Sequence, residues 1–186
     1  NANMIYIGKM LDLLSGYTIV GGLAFLFVFS FHGAAFLLLR LSHSPLEERV
    51  SRMGRRVGLV AIVVFAAYLG LTAVHTDIFS MTVAPLLLIA AAVVFIVGYV
   101  CFFRGRPAPA FALTSAAIVL TTVGVFAALF PNLMISNMNP AYSLTIYNAA
   151  SSPYTLTVMT IAAACLVPVV LIYQGWTYWV FRKRVT

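Results

Sequence analysis

PAPAFALTSAAIVLTTVGVFAALFPNLMISNMNPAYSLTIYNAASSPYTLTVMTIAAACLVPVVLIYQGWTYWVF (Pro107–Phe181) runs for 75 residues without an Asp, Glu, Lys or Arg. An α-helix needs only about 20 apolar residues to cross the hydrocarbon core of a bilayer. The stretch therefore holds two crossings, near 108–130 and 154–181, joined by an uncharged polar segment at 131–153. The rest of the chain repeats the pattern, with apolar runs near 17–39, 57–74 and 82–103. Across 186 residues the composition is 63% hydrophobic and 8% charged, with a mean hydropathy of +1.05. A soluble globular domain carries about a quarter charged residues, so that class is excluded. The expected architecture is an all-α polytopic membrane protein forming a single membrane domain over 1–186. Four helices close a bundle and a fifth needs another surface, so the expectation is a four-helix bundle plus one further transmembrane helix.

The net charge of +7 does not point to nucleic acid, because the bases sit in short clusters between apolar runs and form no face. Arg40, Arg49, Arg52, Arg55 and Arg56 follow the first run, Arg104 and Arg106 the third, and Arg182, Lys183 and Arg184 the fifth. Ten of the eleven basic residues thus fall on one side, leaving Lys9 on the other. By the positive-inside rule, loop 40–56 and the C-terminus are expected in the cytoplasm, and the start of the chain and loop 131–153 outside. The opening NANMIYIGKMLDLLSG has no basic n-region and places Asp12 ahead of its apolar run, so it is not expected to be a cleavable signal. It also has no initiator Met, the pattern of a piece of a longer protein.

The two longer connections have their own signals. Ser44-Pro45 followed by Glu47 and Glu48 reads as the cap and first turn of an amphipathic helix leading into the second span. The 131–153 loop carries Asn132, Asn137, Asn139 and Asn148, with turn points at Asn139-Pro140 and Ser152-Pro153. Being uncharged, it is expected to satisfy its amides by hydrogen bonds and to hold Tyr142 or Tyr147 against protein.

Few residues are candidates for chemistry. His32 lies in the first span, eight residues before Arg40, or about 12 Å along a helix. An intramembrane imidazole serves as an interhelical contact, as a proton or quinone group, or as a haem or metal ligand. Gly33, Ala34 and Ala35 beside it favour the first reading, and the others stay open. His75 and Asp77, just beyond the second span, read as a solvated loop or as a proton-passing pair. No acid falls within a span, which counts against an ion or proton pump built from this chain alone. Cys101 and Cys165 lie in apolar runs without ligand spacing and read as small buried hydrophobes. Ala117, Thr121, Gly124 and Ala128 form a small-residue stripe on one face of the fourth span. Gly54 and Gly58 give a second small-residue pair at the entrance of the second span, fitted to close approach or to loop packing. In the fifth span Pro168 should kink the helix, while Gln174 and the crowd of Tyr173, Trp176, Tyr178 and Trp179 form an interfacial aromatic belt or a wall for an isoprenoid tail. Phosphate loops, nucleophile–base pairs, HExxH and carboxylate pairs are all missing. No catalytic, cofactor-binding or metal-binding residue is assigned.

Two stretches carry a family resemblance: DLLSGYTIVGGLAFLFVFSFHGAAFLLLRL (Asp12–Leu41) and NPAYSLTIYNAASSPYTLTVMTIAAACLVPVVLIYQGWTYWVFRKRV (Asn139–Val185), the latter with the uncommon combination YQGWTYWVF. Together they resemble the C-terminal part of subunit II of the cytochrome bd quinol oxidases. Where members often have LNPYALLGGL, this chain has LSGYTIVGGL at Leu14–Leu23. The resemblance implies the last five of nine spans, an external start and a cytoplasmic end in the plasma membrane of a prokaryote. It implies a complex of respiratory electron transport that oxidises quinol and reduces O₂ to water, with haems b558, b595 and d and the quinol-oxidising loop in subunit I. This chain would then bind no cofactor directly, apart from a structural quinone or lipid. Its expected partners are subunit I, the N-terminal half of subunit II, a small single-span accessory subunit and membrane lipids, with no nucleic acid. The acidic proton-entry positions and the GPxWDGNEVWL motif of the family's N-terminal half are not in this chain. The competing readings are a fragment of a secondary transporter, opposed by the lack of internal acids, and a membrane anchor or assembly subunit.

Overall fold

The computed structural model describes residues 14–41, 45–76, 78, 83–136 and 139–181. Five long helices carry the fold: α1 (Gly16–Arg40), α2 (Pro45–His75), α3 (Val83–Phe103), α4 (Pro107–Leu129) and α5 (Pro153–Val180). The shortest, α3 with 21 residues, is about 31 Å long, against a hydrocarbon core of about 30 Å. All five are apolar and long enough to cross a membrane. The longest, α2 with 31 residues, reaches about 46 Å because it starts at Pro45, well before the apolar run near Val57. Pro45 suits the first helical turn, Glu47 and Glu48 oppose the positive end of the helix dipole, and Arg52 donates to Glu48 one turn back at 2.6 Å. The amphipathic helix expected in loop 40–56 is thus continuous with the second span; its expected cap, Ser44, lies outside the described residues.

The described residues divide into two compact units, 14–130 and 131–181. In the first, α1 packs on α2 and α4, and α3 on α4 and α2. This closes a four-helix ring of up-and-down helices, as the composition implied. Local signals set the ends. Ser15 caps α1 through a reciprocal box in which Thr18 N donates to Ser15 Oγ (3.2 Å) and Ser15 N donates to Thr18 Oγ1 (2.9 Å). At the end of α3, Gly105 takes φ +71°. There Arg106 N donates to Cys101 O and Gly105 N to Phe102 O, both at 3.0 Å. This left-handed cap turns the chain straight into Pro107 at the start of α4.

Hydrocarbon solvates an apolar side chain as well as another helix does, so association rests on fit and on dispersion rather than on escape from water. The core shows that logic. Ala24, Ala35, Ala61, Ala91, Ala110 and Ala117 are buried at the seams, and large rings fill the centre. Phe31, fully buried, meets Phe95 edge-on at 5.6 Å between centroids and Phe102 at 5.0 Å. Gly54 and Gly58 are not loop spacers but the seats of these rings: a Cβ on Gly54 would overlap Phe102, and one on Gly58 would lie 2.8 Å from the Phe31 ring. The small stripe of α4 is also a packing face. Ala117, Thr121 and Gly124 are buried, and Ala110 and Thr114 extend the same spacing toward the helix start. A Cβ on Gly124 would press on Leu87 and Leu88 of α3 at 3.1–3.3 Å.

The second unit is the 131–153 segment with α5. Asn132–Met134 and Leu144–Thr145 form a short antiparallel pair, β1 and β2, flanking a 3₁₀ turn at Pro140–Tyr142. Two of its asparagines bond within the segment. Asn139 Oδ1 accepts from Ala141 N (2.9 Å), Asn148 Oδ1 from Thr145 N (2.6 Å), and Asn148 Nδ2 donates to Ser143 O (3.1 Å). Tyr142 is partly buried, whereas Tyr147 is 77% exposed, and Asn137 lies outside the described residues. Ser152 caps α5, with Pro153 in its first turn, and the helix runs through Pro168 to Val180 without a break.

Candidate functional site

Polar groups gather at two levels of the bundle. The first is built by topology alone, because Tyr17 near the start of α1 faces the last turns of α2. Tyr17 stacks on Tyr68 at 5.6 Å and lies 6.0 Å from the His75 ring. Thr72 Oγ1 donates to Tyr68 O at 2.8 Å, so it accepts from Tyr17 Oη, 3.1 Å away. Tyr68 and Thr72 are 8% and 4% exposed, so this bond ties α1 to α2 in a site shielded from solvent. His75 therefore belongs to an aromatic cluster; its proposed companion Asp77 lies outside the described residues.

The second level is His32. Its Nδ1 lies 2.8 Å from Thr114 Oγ1 on α4, and its ring stacks on Phe111 at 4.6 Å. Thr114 is fully buried, and its hydroxyl reaches Ala110 O (2.9 Å) and Phe111 O (3.0 Å) one turn back. A threonine proton given to those carbonyls leaves Oγ1 to accept from Nδ1–H. His32 is therefore an interhelical contact joining α1 to α4, the reading its small neighbours favoured. The signal for its partner was in the sequence, since Thr114 continues the small stripe three residues before Ala117. Nothing local points to the Tyr17–Thr72 bond, which spans 55 residues.

Arginines ring the end of the bundle where α1 and α3 finish and α2 and α4 begin. Arg40 lies over Phe36 at 5.4 Å and Arg55 over Phe103 at 5.0 Å, each held by cation–π attraction. Cys101 is partly buried in the core, but Cys165 is exposed on α5 and so corrects the expectation that both are buried. Among the described residues no three His, Cys, Asp or Glu side chains converge as metal donors. The cavity at the bundle centre, lined by Phe25, Val28, Phe65, Phe95, Ala117, Ile118 and Thr121, measures about 10 Å³. A cofactor of drug size or larger needs several hundred Å³.

Five membrane-length helices, four of them closed around an aromatic and small-residue core, define a multi-pass α-helical membrane protein. A family profile described as cytochrome bd terminal oxidase subunit II matches residues 1–181. The chain is 34% identical to the cytochrome bd ubiquinol oxidase subunit 2 of Bacillus subtilis (strain 168), across 100% of this chain and 55% of that protein. It is 46% identical to the cytochrome bd-I ubiquinol oxidase subunit 2 of Escherichia coli (strain K12), across 40% of this chain and 19% of that one. The chain belongs to the cytochrome bd terminal oxidase subunit II family. It spans about half the length of the Bacillus relative.

Proposed function

We propose that this chain is the C-terminal part of a subunit that flanks the haem-bearing subunit of a quinol:O₂ oxidoreductase, and that it ligates no haem itself. The observation that carries this is the filled bundle: rings and small residues leave about 10 Å³ at its centre, and the buried polar groups Thr72, Thr114 and Thr121 are spent on bonds within or between helices. Its contribution to turnover is indirect. A closed, water-free wall beside the catalytic subunit keeps protons and oxygen on their proper routes, and a structural quinone or lipid sits on the outside of that wall. Subunit I, the N-terminal half of subunit II and a single-span accessory subunit are its partners in this reading. Purification through a tag on this chain should bring down quinol-dependent oxygen consumption. Recovery of a stable, folded chain without that activity would overturn the proposal.

The proposed orientation puts the arginine end in the cytoplasm, on the strength of the one-sided distribution of charge. In a background without Cys101 and Cys165, a cysteine at Arg106 should escape an impermeant thiol reagent in intact cells, and one at the exposed Tyr147 should react. The reverse pattern would invert the topology.

A further inference from the structure

Positive charge goes unmatched at the arginine end of the bundle. There Arg40, Arg49, Arg52, Arg55, Arg56, Arg104 and Arg106 face two carboxylates, Glu47 and Glu48, and Glu48 is held by Arg52. The other acids of the chain cannot serve, because Asp12 precedes α1 and Asp77 follows α2, at the opposite ends of those helices. The segment after α5 adds Arg182, Lys183 and Arg184 and no acid. Wherever the second unit lies, the neutralising charge comes from outside these 186 residues.

Arg55 shows what kind of anion fits. Its guanidinium lies 5.0 Å from the centroid of Phe103, in the last turn of α3, and its carbonyl accepts from Tyr99 Oη at 3.2 Å. Because α3 is about as long as the hydrocarbon core is thick, that turn sits at the level of lipid headgroups. Arg104 follows Phe103 directly, so two guanidiniums flank one ring, and among the described residues neither is paired with a carboxylate. Stacking occupies the face of the Arg55 guanidinium and leaves the N–H donors along its edge, a planar fork matched to phosphate oxygens. One and two turns toward the hydrocarbon on the same side of α2, Leu59 and Val63 continue the site as an apolar row. Cations at the head of an apolar row match a molecule that is anionic at one end and hydrocarbon at the other. An acidic protein segment would match the cations alone.

We propose that Arg55 and Arg104 bind the phosphate of an anionic phospholipid whose acyl chain runs along Leu59 and Val63. This requires only a chain that spans a membrane, and so stands apart from the oxidase reading. The test uses the whole complex in vesicles of phosphatidylglycerol and phosphatidylcholine in equal parts, with p-benzoylphenylalanine in place of Leu59 and mass spectrometry of the photo-adduct. Phosphatidylglycerol is expected to dominate the adduct. An arginine near a membrane surface adds about five-fold to the attraction for anionic lipid, so Arg55→Gln and Arg104→Gln should each lower the ratio of phosphatidylglycerol to phosphatidylcholine by about that factor. Arg49→Gln, which removes the same charge from an exposed position farther from Phe103, should lower it far less. Equal adducts of the two lipids, an adduct with polypeptide alone, a ratio unmoved by either glutamine variant, or an equal drop in Arg49→Gln overturns the site. A preference erased by millimolar inorganic phosphate would also overturn it, by showing a site for the bare anion.

Discussion

Replacing Gly58 with leucine is expected to abolish recovery of the folded bundle. The first added carbon would lie 2.6 Å from Tyr99 Cδ2 and 2.8 Å from two atoms of Phe31. Neither ring can step aside. Phe31 is boxed in by Phe95 and Phe102, and Tyr99 donates its hydroxyl to Arg55 O at 3.2 Å. Overpacking in a close-packed interior costs about 1–3 kcal/mol and sometimes more, and a branched side chain against two fixed rings belongs at the top of that range. Gly58→Ala should be milder but still measurable. Fluorescence-detected size exclusion of the detergent-solubilised complex across a temperature series reads both. A leucine variant that melts with the wild type would show that α1, α2 and α3 do not meet at Gly58.

Phe31→Ala is expected to be nearly as damaging, for the opposite reason. Phe31 is fully buried, and its ring is shared among α1, α2 and α3. In soluble proteins Phe→Ala costs about 3–5 kcal/mol. The transfer part fades in a bilayer because lipid tails are as apolar as phenylalanine, while the lost dispersion contacts remain, so a value of about 3 kcal/mol is expected. The pair also makes a cycle. Leucine at 58 grows into the space vacated at 31, and the double variant should be less destabilised than the sum of the singles by about 1 kcal/mol or more. Strict additivity would contradict the contact.

The fold was legible where membrane physics speaks through composition. Apolar length and one-sided charge define five helices, and the 4-3-4 spacing of Ala117, Thr121, Gly124 and Ala128 marks the packing face of α4. The start of α2 was less legible as part of the span, because hydropathy stops at the charged residues while a helix is set by backbone bonds and continues through Glu48 and Arg52 to Pro45. Gly54 and Gly58 could be read as a close-approach pair, but not which rings they seat, since Phe31 and Phe102 arrive from other helices. The bond between His32 and Thr114 spans 82 residues: the α4 stripe marks Thr114 as a packing residue, but only the ring of four helices brings it to His32. Loop 131–153 was expected to satisfy its amides and to hold Tyr142 or Tyr147 against protein; the side chains of Asn139 and Asn148 bond within the loop. Tyr147 is exposed.

The central claim is that this chain supports a haem-bearing partner without holding haem. The most direct test is the reduced-minus-oxidised spectrum of the complex purified through a tag on this chain, wild type and His32→Ala side by side, normalised to subunit content. The account predicts the same haem bands, in the same ratio, for both. Selective loss of one band in His32→Ala at unchanged subunit stoichiometry would contradict it and make His32 Nε2 an iron ligand.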